Sequence, residues 1–303
     1  NYIVITDIGR DTDDTLALII LLYLHKKNNI NLSCIAVSGA KLELRANSVY
    51  YWLYKFNITD ISVVLALNEE FSFKPIDIDE KTNEIIKDVD SNICILPYND
   101  DITRDNINIF IRNIKTYNNL YEYFAENPQN IDIIAIAPIR PLYTALHKNS
   151  KLINKIDNIY FQGNAYYYKK SLMPDIRAGG RGSYNFGNGF PNKEEIMKET
   201  KYVIDLFNKS KKRKDNKLYF LGKNTAYLVE LTENDLYKID KQIAELTIKK
   251  TLLFAKSLPD VFNLVFKNNI DNKKKGIIIK KNSKIISNLI NDIDSPLNRY
   301  IDN

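Results

Sequence analysis

NYIVITDIGRDTDDTLAL, residues Asn1 to Leu18, is the stretch that decides the fold. An apolar, β-branched run (Ile3, Val4, Ile5) meets four aspartates, Asp7, Asp11, Asp13 and Asp14, and a long apolar helical pattern from Thr15 to Leu24 follows at once. That order reads as a buried first strand, a tight acidic turn containing Gly9, and a helix. Strand ends that feed helices are where open α/β sheets keep their ligands. Four carboxylates with only Arg10 among them repel one another unless a cation sits between them. Carboxylate oxygens are the hard ligands that Ca²⁺ and Mg²⁺ prefer. Helix capping explains part of the pattern, since Thr12, Asp13 and Asp14 suit a helix start and such a cap stabilises by about 1 kcal/mol. It does not explain Asp7, which stands where the strand ends. On the residues alone, a metal site and a helix cap both stay open.

Working outward, Ile30–Ala40 (INLSCIAVSGA) reads as a second strand, Lys41–Phe56 as an amphipathic helix and Asp60–Leu67 as a third strand. From Asn68 to Asp105 the pattern breaks into an irregular, acidic stretch with one apolar island, Ile93–Leu96, and long segments of this kind are often lids. Asp105–Pro128 reads as one helix stopped at Asn127-Pro128. A strand–helix unit containing Arg140 follows, then a strand at Ile156–Gly163. Strands alternating with helices of this length predict an α/β fold, a mostly parallel twisted sheet with helices on both faces. The segment Ala165–Pro191 reads as a long loop with five of the chain's ten glycines. It carries no phosphate-loop pattern; a substrate-side loop is the favoured reading, with Arg177 and Arg181 as its anion-meeting residues. Lys284–Asn303 reads as one more helix with a frayed end.

A chain of 303 residues with 45% hydrophobic and 26% charged residues can bury a substantial core, as one large α/β domain or two small ones. The longest apolar run, LALIILLYL, is too short to span a bilayer, so no membrane partner is expected. The lysine runs Asn208–Lys217 and Asp271–Lys281 read as solvated connectors. With a net charge of only +6 and no aromatic interleaving, nucleic acid is not an expected partner. Cys34 and Cys94 each sit in an apolar strand pattern and read as buried free thiols. Free thiols suit the reducing cytosol, and no cationic-plus-apolar leader opens the chain, so a cytoplasmic location is expected. The two histidines, His25 and His147, lie in lysine-flanked helical contexts typical of the surface.

Thr6 to Leu18, TDIGRDTDDTLAL, resembles the opening motif of the inosine-uridine preferring nucleoside hydrolase family, DTDPGxDDALA, and matches the longer variant DTDIGxDxDDALAL almost position for position. Weaker matches follow in family order. Ile131–Asn149 resembles VxVGPLTNLALAL, Ile159–Ala165 the strand ending in MGGN, and Gly182–Phe186 (GSYNF) the AEFNI segment. Lys217–Leu236 resembles PLNVTHxxxLTxxDL and Ser257–Phe266 resembles HDPLAVA. The resemblance spans Tyr2 to about Phe266 and implies a single nucleoside-hydrolase-like domain over 1–303 with a Rossmann-like sheet. It also departs from the family. Ile5 replaces the leading aspartate of the motif, Ala40 the asparagine of AGN, and Pro259 the usual leaving-group histidine, while the HGxDG loop has no counterpart.

The resemblance implies Ca²⁺ as cofactor, held by Asp7, Asp14, the Arg140 carbonyl and Asp260, with Asp7 as the catalytic base. It implies a ribose site made of Asp13, Asn185 and Asn224, with Ser183 in place of a ribose-binding glutamate. The expected activity is metal-dependent hydrolysis of the N-glycosidic bond of a ribonucleoside. Two alternatives stand beside it: a binding protein of the same fold with impaired catalysis, and an N-ribosyl hydrolase acting on a nicotinamide riboside or NAD-type substrate. The lost histidine favours the latter, because such a leaving group needs no proton. The tyrosines Tyr166, Tyr167, Tyr168 and Tyr227 are the other candidates for an acid. The expected partner is a nucleoside or related ribosyl small molecule, and family members are commonly dimers or tetramers, which implies a homo-oligomer.

Overall fold

Among the described residues, the apolar strand patterns at Ile3–Ile5, Ile35–Val37, Val63–Val64 and Ile131–Ile134 all join one sheet. The computed structural model describes residues 1–9, 12–39, 41–66, 104–163, 165–168, 171–174, 184–186, 193–210, 216–221 and 233–248. Within these, β1 (Tyr2–Thr6), β2 (Leu32–Val37), β3 (Ser62–Val64), β4 (Thr116–Tyr117), β5 (Ile131–Ala135), β6 (Ile156–Gln162) and β9 (Leu218–Leu221) form a seven-stranded sheet in the order β4-β3-β2-β1-β5-β6-β9. Every neighbouring pair is parallel. The chain winds outward from β1 to β4, then crosses back to place β5 on the other side of β1. That reversal opens a crevice at the carboxyl ends of β1 and β5, the place where open parallel sheets bind ligands.

Alternation along each strand feeds two apolar layers. Ile3 and Ile5 of β1, with Ala36, Ile133 and Ile159, pack under α4 (Leu120–Glu126), α5 (Arg140–Lys148) and α6 (Lys193–Lys209). Val4, with Ile8, Ile35 and Val63, packs under α1 (Thr12–Lys26), α2 (Leu42–Phe56) and α3 (Arg104–Ile111). Both faces of the sheet are therefore covered, as a parallel sheet requires. Helix α2 is buried further around than an amphipathic stripe: Ala46 to Leu53 are all shielded, because α1 and α3 both pack against it.

Three expectations change. The single helix read over Asp105–Pro128 is two, α3 and α4, with β4 between them joining the sheet edge beside β3. The break is chemical. The Asn119 side-chain oxygen accepts the Glu122 N–H at 3.1 Å while its Nδ2 donates to the Glu122 carboxylate at 2.8 Å, an N-cap that starts α4 afresh. The loop read over Ala165–Pro191 contains an antiparallel hairpin of β7 (Ala165–Tyr168) and β8 (Ser171–Pro174), in which Tyr166 opposes Met173. His25 is not a surface residue but a clamp: its ring reaches Asp60 at 3.3 Å and accepts the Leu32 N–H at 3.2 Å, tying the end of α1 to the start of β2.

Two more helices complete the described chain, α7 (Glu233–Ile239) and a further one over residues 241–248, where the Asp240 carboxylate caps the Ile243 N–H at 3.0 Å. No helix among the described residues is long and apolar enough to cross a membrane. Cys34 is a buried free thiol, and burial pushes its pKa far above the ordinary range. The island Ile93–Leu96, Cys94 and the tail from Lys284 lie outside the described residues.

Candidate active site at the carboxyl edge of the sheet

β1 delivers the acidic turn to the crevice. Asp7, half-buried, is the first residue beyond the strand, and Asp13 and Asp14 occupy the first turn of α1. The two neighbouring aspartates have opposite environments. Asp13 is exposed, whereas Asp14 is 8% exposed and faces back toward the end of β1. Its Oδ1 accepts the hydroxyl proton of Thr6, a side chain with no solvent exposure. The Thr6 Oγ1 also receives the Ile8 N–H at 3.1 Å.

The neighbouring strand ends close around this turn. Ser38, just past β2, donates its N–H to the Thr6 carbonyl at 2.8 Å and its hydroxyl to the Pro138 carbonyl at 2.8 Å. One residue thus binds the β1 end to the turn that precedes α5. Gly39 follows with φ +89°, a left-handed conformation that suits glycine. A Cβ there would lie 3.3 Å from the Cβ of Asp7 and 3.3 Å from the Nε of Arg45. Arg45, on α2, donates to the Ile8 carbonyl at 3.3 Å. Gly39→Ala is accordingly expected to lower folding stability by about 1–2 kcal/mol through the left-handed backbone alone. Chemical denaturation checks this, and an unchanged midpoint would contradict it.

Arg140 opens α5 from the end of β5, the strand beside β1. Its carbonyl accepts the Thr144 hydroxyl at 3.0 Å. Its guanidinium reaches α6, meeting Glu195 at 2.7 Å and Glu199 at 2.9 Å. Burial pushes the Glu199 carboxyl above its usual value near 4.5, with Arg140 opposing the shift. A carboxyl whose folded pKa is raised supports the fold below its unfolded pKa and loses that support as pH rises through the folded value. The stability of the wild type minus that of Glu199→Gln is therefore expected to fall as pH climbs from below 4.5. Denaturation curves across that range check it; a difference that grows with pH would contradict it.

Asn185 reaches the same edge from a 3-10 turn, Tyr184–Phe186, anchored by Phe186 against Phe161 at 5.7 Å between ring centres. Its Nδ2 donates to the Ile136 carbonyl at 2.9 Å and the Gln162 carbonyl at 3.1 Å. The amide nitrogen is thus spent tying β5 to β6, and its oxygen is the atom suited to a ligand.

The structure places Asp7, Asp13, Asp14, Arg140 and Asn185 along the carboxyl edge. Asp260, Asn224 and Ser183 lie outside the described residues, as do Asp11, Ala40, Pro259, Tyr227, Arg177 and Arg181. Among the described residues no three His, Cys, Asp or Glu side chains cluster closely enough to hold a metal by themselves. The described donors are two carboxylates at one strand end, Asp7 and Asp14, oxygen ligands of the kind a hard divalent cation takes. Ile5, where the family motif has aspartate, is fully buried in the layer opposite Thr6. Three residues of the site escaped the sequence reading: Thr6, Ser38 and Arg45. The visible signal was a hydroxyl ending each of two apolar strand runs.

No protein-family model and no curated protein matches the sequence. Solved structures do. The type III effector protein XopQ, in complex with adenosine diphosphate ribose, is 14% identical over 89% of this chain and 71% of its own, with a TM-score of 0.60. The effector protein XOO4466 is 14% identical over 89% of this chain and 70% of its own, with a TM-score of 0.56. An inosine-uridine preferring nucleoside hydrolase from Bacillus anthracis overlaps more loosely, 13% identical over 86% of this chain and 81% of its own, with a TM-score of 0.46. At such identities the likeness is one of fold.

Proposed function

We propose that the chain hydrolyses the N-glycosidic bond of a ribosyl small molecule with the help of a divalent cation, Ca²⁺. The observation that carries this is the placement of Asp7 and the buried Asp14 at the carboxyl end of β1, on the crevice between β1 and β5. The likeness in fold to an effector solved with adenosine diphosphate ribose supports a ribosyl ligand. Asp7, Asp14, the Arg140 carbonyl and Asp260 would hold the ion. Bound there, Ca²⁺ would orient a water molecule and lower its pKa.

The protein's own groups do the rest. Asp7 takes a proton from the attacking water as its oxygen bonds to C1′ of the ribose and the C1′–N bond breaks, the electron pair leaving with the base. Asp13 is exposed at the helix start, where it can accept hydrogen bonds from ribose hydroxyls. The Asn185 oxygen and Asn224 extend that grip, and Ser183 lies two residues before Asn185 in sequence. Fixing the sugar turns binding energy into orientation at the reacting carbon.

A specific observation favours leaving groups that need no histidine as acid. Both histidines are far from this edge: His25 ends α1 against the first residue of β2, and His147 lies in the last turn of α5 against Tyr143 and Tyr202. Helices that return across a parallel sheet end at its amino edge, so neither ring can protonate a departing base. A cationic glycosidic nitrogen, as in nicotinamide riboside or NAD, leaves as a neutral base without that proton. The test is release of reducing sugar from a panel of inosine, uridine, nicotinamide riboside and NAD, with and without chelator. Chelator-sensitive release, fastest from the nicotinamide compounds, is the expected result. Good turnover of inosine or uridine with none of the nicotinamide compounds would overturn the leaving-group reading. Silence across the panel with ribose still bound would favour a binding protein.

A further inference from the structure

We propose that Thr6 is a positioning residue for Asp14, its hydroxyl holding the carboxylate in the orientation that a cation at the acidic turn requires. This rests on the reading that a divalent ion binds there.

The hydroxyl has one proton, and its direction is settled by its neighbours. The Ile8 N–H can only donate, and it does so to Oγ1 at 3.1 Å. The Thr6 proton is therefore directed to Asp14 Oδ1. The donor itself is held firmly. Thr6 is fully buried at the last position of β1, its branched side chain has few rotamers, and its carbonyl is pinned by the Ser38 N–H at 2.8 Å. The acceptor is a carboxylate with only 8% of its residue surface exposed, so the protein rather than bulk water sets its orientation. A hydrogen bond to Oδ1 from a fixed donor constrains the orientation of the carboxylate. Partners of this kind behind ligating carboxylates commonly set metal affinity.

The test is titration calorimetry of Ca²⁺ into chelator-stripped full-length protein, wild type, Thr6→Val and Thr6→Ser, with melting curves in the presence and absence of Ca²⁺. Thr6→Val keeps the shape and removes the proton, and Ca²⁺ affinity is expected to fall about 10–100-fold. Thr6→Ser is expected to restore it. The rise in melting temperature caused by Ca²⁺ should shrink in Thr6→Val, because ligand stabilisation follows affinity. A purely structural role would lower the melting temperature equally with and without Ca²⁺ and leave the affinity unchanged; that result overturns the proposal. If Thr6→Val does not fold, Thr6→Cys, whose S–H is a weak donor, takes its place, and wild-type affinity there equally overturns it. Wild-type protein that takes up no Ca²⁺ would instead defeat the metal reading on which the proposal rests.

Discussion

Replacing Asp7 with alanine is expected to lower the rate of ribosyl hydrolysis by about a thousandfold, the middle of the range for losing a general base. Asp7 is asked both to accept the proton of the attacking water and to hold the ion that orients it. Losing both roles should lower kcat more than it raises KM, because the proton moves only in the transition state. The fold should survive. Asp7 belongs to neither apolar layer, and the strand before it is held by its own backbone pairs to β2 and β5. Initial rates on the fastest substrate of the panel, with a melting curve as control, decide the point. A variant that keeps a tenth or more of the wild-type rate would show that another group takes the proton, an outcome well outside the range for a general base of about 10²–10⁴.

The largest expected effect on stability lies in α2. Trp52 is fully buried, set edge-on against Tyr51 with 5.1 Å between ring centres. Trp52→Ala is expected to cost about 3–5 kcal/mol, the sum of lost burial and the cavity left behind. Domains are stable by only about 5–15 kcal/mol, so the variant would stand close to unfolding. The indole N–H meets no hydrogen-bond partner among the described residues. Trp52→Phe keeps an aromatic ring and deletes that buried donor, and should cost distinctly less. Urea denaturation followed by far-UV circular dichroism is the measurement, since Trp52 is the only tryptophan and its loss removes the intrinsic reporter. Equal losses in the two variants would mean that volume is not what the position supplies.

The β-branched runs make the sheet legible in the sequence. Val4, Ile35 and Val63 sit in strands buried on both faces, and such strands have to be apolar throughout. The acidic turn was legible for the opposite reason, because carboxylates at a strand end have no use in a core. Position along the chain could not reveal which strands are neighbours. Ser38 reaches Pro138 only because β2 and β5 flank β1, a consequence of the winding reversal rather than of any local pattern. Arg45 was hidden likewise, since it reads as one polar residue on a helix until α2 sets it beside Gly39 and Asp7. The missed break at Asn119 is different: the spacing Asn119 to Glu122 is a capping signal in its own right, overridden by the long apolar periodicity around it. The lysine neighbours of His25 suggest a surface ring, yet both of its nitrogens are used in contacts within the fold.

The proposed hydrolysis stands or falls with one divalent cation shared by Asp7, Asp14 and Asp260 at the carboxyl end of β1. A crystal grown with Ca²⁺ and ribose tests it most directly. A single ion is expected, with oxygen atoms of all three aspartates at about 2.3–2.6 Å and sugar hydroxyls in its remaining positions. An Asp260 carboxylate directed away from the acidic turn, with no ion between Asp7 and Asp14, would contradict it.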